Sequence, residues 1–241
     1  MNLSVIIPAY NEEGHIKETV SSIVNYLSDR NKSHEIIVVE NASQDKTAEI
    51  VKGLAGRILS LRLIQTDIKG KGHAVKVGVL KARGDYLLLT DADNSTSIDH
   101  IEKMMPYFEE NYDIVIGSIG IAGSQVAPGS EPPWRRLLGK LGNLFIQIMA
   151  VWGIKDTQRG FKLMTKKAAG DIFPRLTIGG WGFDVEMLAL AKKFGYKIKE
   201  VPVDWKNDPH SHIGLKAYFQ VLVETVKIRW NLWTNKYKNV Q

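Results

Sequence analysis

The sequence predicts an α/β fold: a mainly parallel central sheet with helices on both faces, completed by a C-terminal amphipathic helix. Three observations carry that prediction. Short, nearly continuous apolar runs recur along the first half of the chain, helical patterns separate them, and polar clusters follow their ends. Strands covered by helices on both sides read as unbroken apolar runs, whereas half-exposed strands alternate.

The elements follow in order. Leu3 to Ala9 reads as the first strand, and Ile16, Val20, Ile23, Val24 and Leu27 then recur at helical spacing. Glu35 to Glu40 is a second strand, after which Asn41 and Ser43 stand where they would cap a helix from Thr47 to Leu54. Ile58 to Gln65 is a third strand, followed by a glycine-opened helix from Gly70 to Ala82. Asp85 to Thr90 is the fourth, a helix covers Ile98 to Phe108, and Asp113 to Gly117 is the fifth. Ile121 to Pro133, rich in Gly, Pro and Ser, reads as a loop. An apolar helix from Leu137 to Trp152 leads to the loop Asp156–Gly160 and a short strand over Phe161 to Met164. A helix near Asp184 to Phe194, a strand from Lys197 to Val203 and an amphipathic helix from Leu215 to Trp233 close the chain. The expected division is 1–205 for the α/β domain and 206–241 for the amphipathic segment.

Composition narrows the function. With 44% hydrophobic and 24% charged residues, the 241-residue chain has the balance of a globular protein and not of a disordered tail or a fibre. No cysteine is present, which excludes a disulfide scaffold, a thiolate zinc site and a cysteine nucleophile. The opening Met1 to Pro8 lacks a basic stretch before its apolar run, so no secretion signal is expected. The longest apolar window, Leu137 to Ile154, is interrupted by Gly139, Lys140, Gly142, Asn143 and Gln147, so no transmembrane helix is expected. The net charge of +6 favours an anionic partner. Nucleic acid is one candidate, but no basic helix or aromatic RNA-binding signature accompanies the charge, so no nucleic acid partner is expected. Phosphorylated small molecules or an anionic membrane surface fit the charge equally well, and charge alone does not choose.

Ligands of open parallel sheets bind beyond the carboxyl ends of the strands. Four polar clusters are expected there: Pro8 to Glu13, Glu40 to Asp45, Asp91 to Ser95 and the residues after Gly117. Asp91 and Asp93 are one residue apart at a strand end, a spacing that suits one hard cation such as Mg2+ or Mn2+ with a diphosphate. In Lys69-Gly-Lys-Gly-His73, glycines opening a helix would offer backbone N–H groups to phosphate, and Lys71 would add a charge.

Taken together, Pro-Ala-Tyr-Asn-Glu-Glu at 8–13, Val-Val-Glu-Asn-Ala-Ser-Gln-Asp-Lys-Thr at 38–47, Gly-Lys-Gly at 70–72 and Asp-Ala-Asp at 91–93 resemble the family-2 inverting glycosyltransferases. Asp156-Thr-Gln-Arg-Gly-Phe-Lys-Leu, Trp181-Gly-Phe-Asp-Val-Glu and Glu200-Val-Pro-Val-Asp-Trp are similar to the dolichyl-phosphate glucosyltransferase branch, with dolichyl-phosphate mannose synthases as close relatives. The resemblance covers roughly residues 3 to 205. It implies a GT-A fold, a nucleotide-sugar donor, Mg2+ or Mn2+, and a polyprenyl or dolichyl phosphate acceptor. By the same resemblance Pro8, Ala9 and Tyr10 line the nucleoside, Glu12 meets the ribose and Glu40 the base. Lys71 faces the diphosphate, Asp91 contacts ribose or metal, the adjoining Ala92 lines the nucleotide sugar, Asp93 binds the metal, and Ser95 takes a third metal position.

Two departures qualify it. The family's usual aspartate after the second strand is Glu40 here, and the arginine that mannose synthases carry after Gly-Ser is Ile119. Arg159, at a position usually Cys or Ser, is the candidate replacement cation. The pattern favours UDP-glucose over GDP-mannose. A phosphate acceptor is already anionic and needs positioning rather than a base, and Arg135, Arg136 and Arg159 are its candidate holders, since a guanidinium fork matches phosphate oxygens. Were the acceptor a hydroxyl on a glycan or lipid, Asp184 would be the base; Asp184 and Glu186 otherwise read as helix-terminus residues. His210 and His212 have the spacing of a metal pair but read better as a loop, with His212 near the acceptor phosphate. A third possibility is a non-catalytic sugar-nucleotide-binding module, against which the intact Lys71, Asp91 and Asp93 argue.

The last segment suggests a peripheral position on the cytoplasmic face of a membrane. Tyr218, Phe219, Leu222, Val226, Trp230 and Trp233 form one helical stripe, with Lys216, Gln220, Glu224, Lys227 and Asn231 expected opposite. Leu138, Leu141, Phe145, Ile148 and Trp152 repeat the pattern earlier in the chain. The competing expectation is that both stripes pack on the domain's own core.

Overall fold

The computed structural model describes residues 2–30, 33–126, 133–206 and 215–239, with backbone alone at 126, 133–138, 215 and 239. A seven-stranded mixed sheet forms its centre, in the order β3-β2-β1-β4-β7-β5-β8. The strands are β1 (Leu3–Ala9), β2 (His34–Glu40), β3 (Leu61–Gln65), β4 (Tyr86–Leu89), β5 (Ile114–Ser118), β7 (Lys162–Thr165) and β8 (Ile198–Pro202), with β6 (Gln125–Val126) and β9 (Asp204–Trp205) paired apart from it. Helices α1 (Ile16–Ser28), α2 (Thr47–Ala55) and α3 (Lys71–Lys81) connect the first four strands.

The apolar runs are unbroken because successive side chains enter two different cores. In β1, Val5 and Ile7 pack with Val20, Ile23 and Leu27 of α1, while Ile6 packs on the other face with Ala74 and Val75 of α3. Both layers exclude water, so neither face tolerates polar alternation.

The expected parallel sheet holds for β3, β2, β1 and β4 and again for β5 with β8. Strand β7 departs from it, running antiparallel to both β4 and β5. That reversal has a consequence for the site. The carboxyl ends of β1, β2, β4 and β5 face one rim, and only a reversed strand brings its preceding loop, Asp156–Gly160, to that same rim.

Several boundaries differ from expectation. The third strand begins at Leu61. The helix expected over Ile98–Phe108 is a 3-10 turn (Ile98–His100) followed by two short pieces, α4 (Ile101–Met104) and α5 (Pro106–Glu109), because Pro106 has no N–H to continue the ladder. The apolar helix starts earlier, as α6 (Pro133–Ile146), and ends in a π-helical turn, Gln147–Val151. Helix α7 (Lys166–Ile172) has no counterpart in the sequence reading, although Thr165 caps it by accepting from the Ala168 N–H at 3.2 Å. Helices α8 (Phe183–Lys193) and α9 (Leu215–Trp233) lie near their expected places.

Candidate active site

The loops after β1 and β2 are laced together by their own polar residues. Asn11, Glu12 and Glu13 donate backbone N–H groups to Ser43 Oγ (3.1 Å), Thr47 Oγ1 (2.8 Å) and Asp45 Oδ2 (3.0 Å). Gln44 and Lys46 donate in return to Asn11 Oδ1 (2.8 Å) and Glu13 Oε2 (2.9 Å). Neither Asn41 nor Ser43 caps α2 as expected: Asp45 Oδ1 takes the Thr47 N–H at 2.9 Å instead. Asn41 braces the next loop, donating to the Ile68 carbonyl (2.6 Å) and accepting the Gly70 N–H (2.7 Å). Beside this lacing, Pro8 and the buried Ala9 end β1, and Tyr10 is 44% exposed with the Lys69 ammonium 6.0 Å from its ring centre. Glu40 is buried and accepts from the Ser43 N–H (2.5 Å) and Gln65 Nε2 (3.2 Å).

The charged centre lies one strand further on. Lys71 Nζ meets Asp91 Oδ1 at 2.6 Å. Burial is the largest influence on each and opposes its charge, yet the surrounding opposite charges together outweigh it. Asp91, Asp184 and Asp93 hold the Lys71 ammonium above its ordinary range, and Lys71, Lys162 and Arg159 hold the Asp91 carboxyl below its own. Asp93 fares differently. Burial, followed by the charge of Asp91, pushes its carboxyl up although the Ser95 N–H donates to Oδ1 at 2.9 Å. Glu12 is also pushed up by burial, with Asp93 and Asp91 adding to it, while His15 Nδ1 at 3.1 Å counteracts. Glu12, Asp91 and Asp93 thus act on one another here, and of the three only Asp91 is in contact with Lys71. Ala92, between the two aspartates, is buried, and its carbonyl accepts from Thr19 Oγ1 at 2.6 Å, fixing the turn to α1.

The loop before β7 supports this centre from below. A β-carbon at Gly160 would overlap the Asp91 carboxyl group, so glycine alone allows the close approach. Lys162, almost wholly buried, pairs with the equally buried Asp184 at 2.6 Å and also donates to the Arg159 carbonyl. Burial pushes the Asp184 carboxyl up; Lys162 and Lys71 oppose it. Arg159 Nε lies 3.1 Å from Asp156 Oδ2, which also accepts the Ile119 N–H at 3.0 Å, and its guanidinium carbon is 4.4 Å from the Trp205 ring centre. Position 119 and Arg159 therefore meet at one carboxylate.

The start of α3 corrects one expectation. Two of its first-turn N–H groups are not open to a phosphate: Gly72 donates to the Gly180 carbonyl (3.3 Å) and His73 to the Gly179 carbonyl (3.1 Å). A β-carbon at Gly72 would lie 2.6 Å from Phe183 Cβ and 2.8 Å from the Ile178 carbonyl. Gly70, at φ +133°, adopts a backbone that side chains rarely allow. These glycines serve close packing against the 178–183 turn, and Lys71 supplies the charge by its side chain.

Arg135 and Arg136 fall in the first turns of α6, where backbone alone is described, and His210 and His212 lie outside the described residues. Glu186 is no simple helix-end residue. It is fully buried and accepts from the Thr177 N–H (2.9 Å), Thr177 Oγ1 (2.6 Å), the Ile178 N–H (2.8 Å) and Tyr237 Oη (2.7 Å). Sequence reasoning missed Gly160, Lys162, Thr19, Asn41 and Glu224 as organisers of the site. Gly160, Lys162 and Asn41 stand within the quoted motifs and so carried a signal; Thr19 and Glu224 carried none.

Helix α9 has two working faces. Val221, Thr225, Ile228 and Asn231 are buried on the domain, whereas Phe219, Val223, Val226, Trp230 and Trp233 are exposed, at 49–71%. Glu224 and Asn231, expected on the solvent side, turn inward instead: Glu224 accepts the Gly182 N–H at 2.7 Å and Asn231 donates to Thr177 Oγ1 at 3.1 Å. Leu141, Leu144, Ile148 and Trp152 are exposed on the α6 segment, which packs against α9. Among the described residues no helix is long and apolar enough to cross a membrane.

The parallel half-sheet, the reversed β7 and the acidic rim define a protein of the nucleotide-diphospho-sugar transferase, or GT-A, class. The model of glycosyl transferase family 2 matches residues 4–173, and the chain belongs to that family. A dolichyl-phosphate beta-glucosyltransferase of Dictyostelium discoideum is 38% identical, over 95% of this chain and 74% of its own. Among solved structures, mannosyl-3-phosphoglycerate synthase from Rubrobacter xylanophilus superposes with a TM-score of 0.71 at 16% identity, covering all of this chain and 77% of that one. Glucosyl-3-phosphoglycerate synthase from Mycobacterium tuberculosis, in complex with Mn2+ and UDP-glucose, gives 0.68 at 18% identity, covering 95% and 78%. At such identities the likeness to these structures speaks for the fold.

Proposed function

We propose that this chain transfers glucose, with inversion, from UDP-glucose to dolichyl or another polyprenyl phosphate at a membrane surface. The observation that carries the reading is the Lys71–Asp91 pair set beside Asp93 at the carboxyl rim. A diphosphate needs a fixed cation, which Lys71 supplies, and the excess carboxylate charge around Asp93 suits a divalent ion. Among the described residues no three acidic or histidine side chains form a closed metal shell. Mg2+ and Mn2+ tolerate that, since they take phosphate oxygens and water as remaining ligands. Asp93, with Asp91 and Ser95 beside it, would hold the ion, which when bound would neutralise charge on the departing nucleotide.

The chain's own residues do the rest. Lys71 holds the diphosphate in place, and Asp91 fixes Lys71. Pro8 to Tyr10, Glu12 and Glu40 surround the nucleoside side of the rim. Arg159, with Arg135, Arg136 and His212, holds the acceptor phosphate opposite the leaving group. Asp184 is locked to Lys162 within the core, which favours an acceptor that needs no proton removed over a hydroxyl. Glucose is preferred because the named relative is a glucosyltransferase and because Ile119 withholds the arginine of the mannose synthases.

The acceptor's tail does not leave the bilayer, and the exposed Phe219, Trp230, Trp233 and Trp152 supply an apolar face to meet it, with basic residues nearby. From Lys206 onward six Lys/Arg face two Asp/Glu. These features support a peripheral position on a membrane surface, with the outer face of α9, within 206–241, as the interface. The test is transfer of radiolabel from UDP-glucose to extractable polyprenyl phosphate with Mn2+ present. Label transfer from GDP-mannose but not UDP-glucose overturns the donor; transfer only to hydroxyl acceptors overturns the phosphate.

A further inference from the structure

We infer that Glu224 is a positioning residue for the donor end of the site, acting from α9 through the turn Thr177–Gly182. The inference rests on the reading of Lys71 as the group that faces the donor diphosphate.

The turn has three glycines, Gly179, Gly180 and Gly182, and so little internal stiffness. It keeps one shape only if braced from outside. Its first half is braced by Glu186, which takes the N–H groups of Thr177 and Ile178. Its second half is braced by Glu224, whose Oε2 accepts the Gly182 N–H at 2.7 Å while Gln220 Nε2 holds Oε1 at 2.8 Å. The fit leaves no slack. A β-carbon at Gly182 would stand 2.8 Å from Glu224 Oε2 and 2.9 Å from its Cβ, and one at Gly180 would overlap both Gln220 and Glu224.

On its other side the turn reaches the donor end. The Gly180 and Gly179 carbonyls accept the Gly72 and His73 N–H groups in the first turn of α3, and Trp181 sets its ring centre 5.4 Å from Lys71 Nζ. Lys71 in turn holds Asp91. One carboxylate on the helix with the exposed apolar face is thus linked to the cation at the rim by two contacts, its hydrogen bond to Gly182 and the Trp181 ring beside Lys71. Without Glu224 the Gly180–Gly182 half of the turn loses its outer support, and Trp181 and the start of α3 lose theirs.

The test compares Glu224→Ala with Glu224→Gln, whose amide oxygen still accepts from Gly182. Hydrogen exchange of the Gly72, His73 and Gly182 amides in full-length protein reads the brace directly. In Glu224→Ala these amides are expected to exchange at least about tenfold faster, with protection of β1 and β2 unchanged. Calorimetry with uridine diphosphate and Mn2+ is expected to show about tenfold weaker binding, equivalent to ~1.4 kcal/mol, and KM for the donor to rise more than kcat falls. Glu224→Gln is expected to restore both. Unchanged exchange in Glu224→Ala overturns the inference, as does a loss that Glu224→Gln fails to rescue. Should Glu224→Ala not fold, Gln220→Ala loosens the same carboxylate and is read the same way. Wild-type protein that binds no uridine diphosphate overturns the donor reading instead, and the exchange result still decides whether Glu224 braces the turn.

Discussion

Gly160 lies against the Asp91 carboxyl group so closely that no side chain fits between them. The glycine of the loop before β7 therefore decides where the rim's first aspartate stands, although about seventy residues separate the two. Substituting Gly160→Ala forces Asp91 to swing away and breaks its 2.6 Å contact with Lys71. Activity is expected to fall on the order of a hundredfold, the scale of losing one preorganised charge contact, with folding retained. Steady-state kinetics beside circular dichroism checks it; full activity in the alanine variant would show that Asp91 works elsewhere.

Asp93 carries the metal prediction. Its half-buried carboxyl is pushed up by that burial and then by the charge of Asp91, with Lys71 opposing both. Asp93→Ala is expected to reduce turnover by about 10²–10³-fold while the fold persists, and chelation of divalent ions is expected to do the same to the wild type. Undiminished turnover in chelator would sink the metal role.

A pH dependence follows from Glu35. Burial raises its carboxyl, but Ser4 Oγ (2.7 Å), the Arg83 N–H (2.6 Å) and Arg62 Nη1 (2.6 Å) together hold it below its ordinary 4.5. A carboxyl lowered by folding stabilises the native state fully above its unfolded value, and the contribution is lost as pH falls through the folded value. Glu35→Gln is therefore expected to cost about 1.5–3 kcal/mol at pH 7, the scale of hydrogen bonds to a charged group, with the deficit shrinking below pH 4.5. Urea melts at pH 7 and pH 3.5 measure it. A deficit that is the same at both would show that the charge is not what matters.

The two faces of α9 change how membrane binding should be tested. Removing residues 215–241 would take Val221, Ile228 and Tyr237 out of the core and uncover the residues they pack on, so truncation confounds binding with unfolding. Phe219→Ser combined with Trp230→Ser touches only the outer face. Wild-type protein is expected to float with anionic vesicles at low salt, less at high salt, and the double variant to float several-fold less at an unchanged melting temperature. A wild type that stays at the bottom of the gradient would defeat the membrane reading.

Much of this was legible in the sequence because it is local. Unbroken apolar runs announced strands covered on both faces, and the polar clusters at their ends located the rim, since a strand's end is a matter of a few neighbouring residues. The motifs quoted for family 2 also read correctly as a family signature. Less local features escaped. The reversal of β7 leaves no mark on the four residues Lys162–Thr165, because a strand's period is the same in either direction. The helix start at Gly70–Gly72 looked like a phosphate cradle because glycine permits close approach by any group. Here the approaching group is the Gly179–Gly180 backbone, brought from a hundred residues away.

The sequence by itself determined the α/β class, the order of most elements, the family and the residue types at the rim, since each rests on composition and spacing along the chain. Only the tertiary structure decided what those residues face. It set Lys162 against Asp184, Gly160 under Asp91, Arg159 beside the Ile119 backbone and Glu224 against Gly182. It also split α9 into a core face and an exposed apolar face, which one amphipathic pattern could not separate. The reason is physical: a buried charge or a side-chain-free gap is tolerable only where a particular distant partner fills it, and that pairing is settled when the two cores close around the sheet.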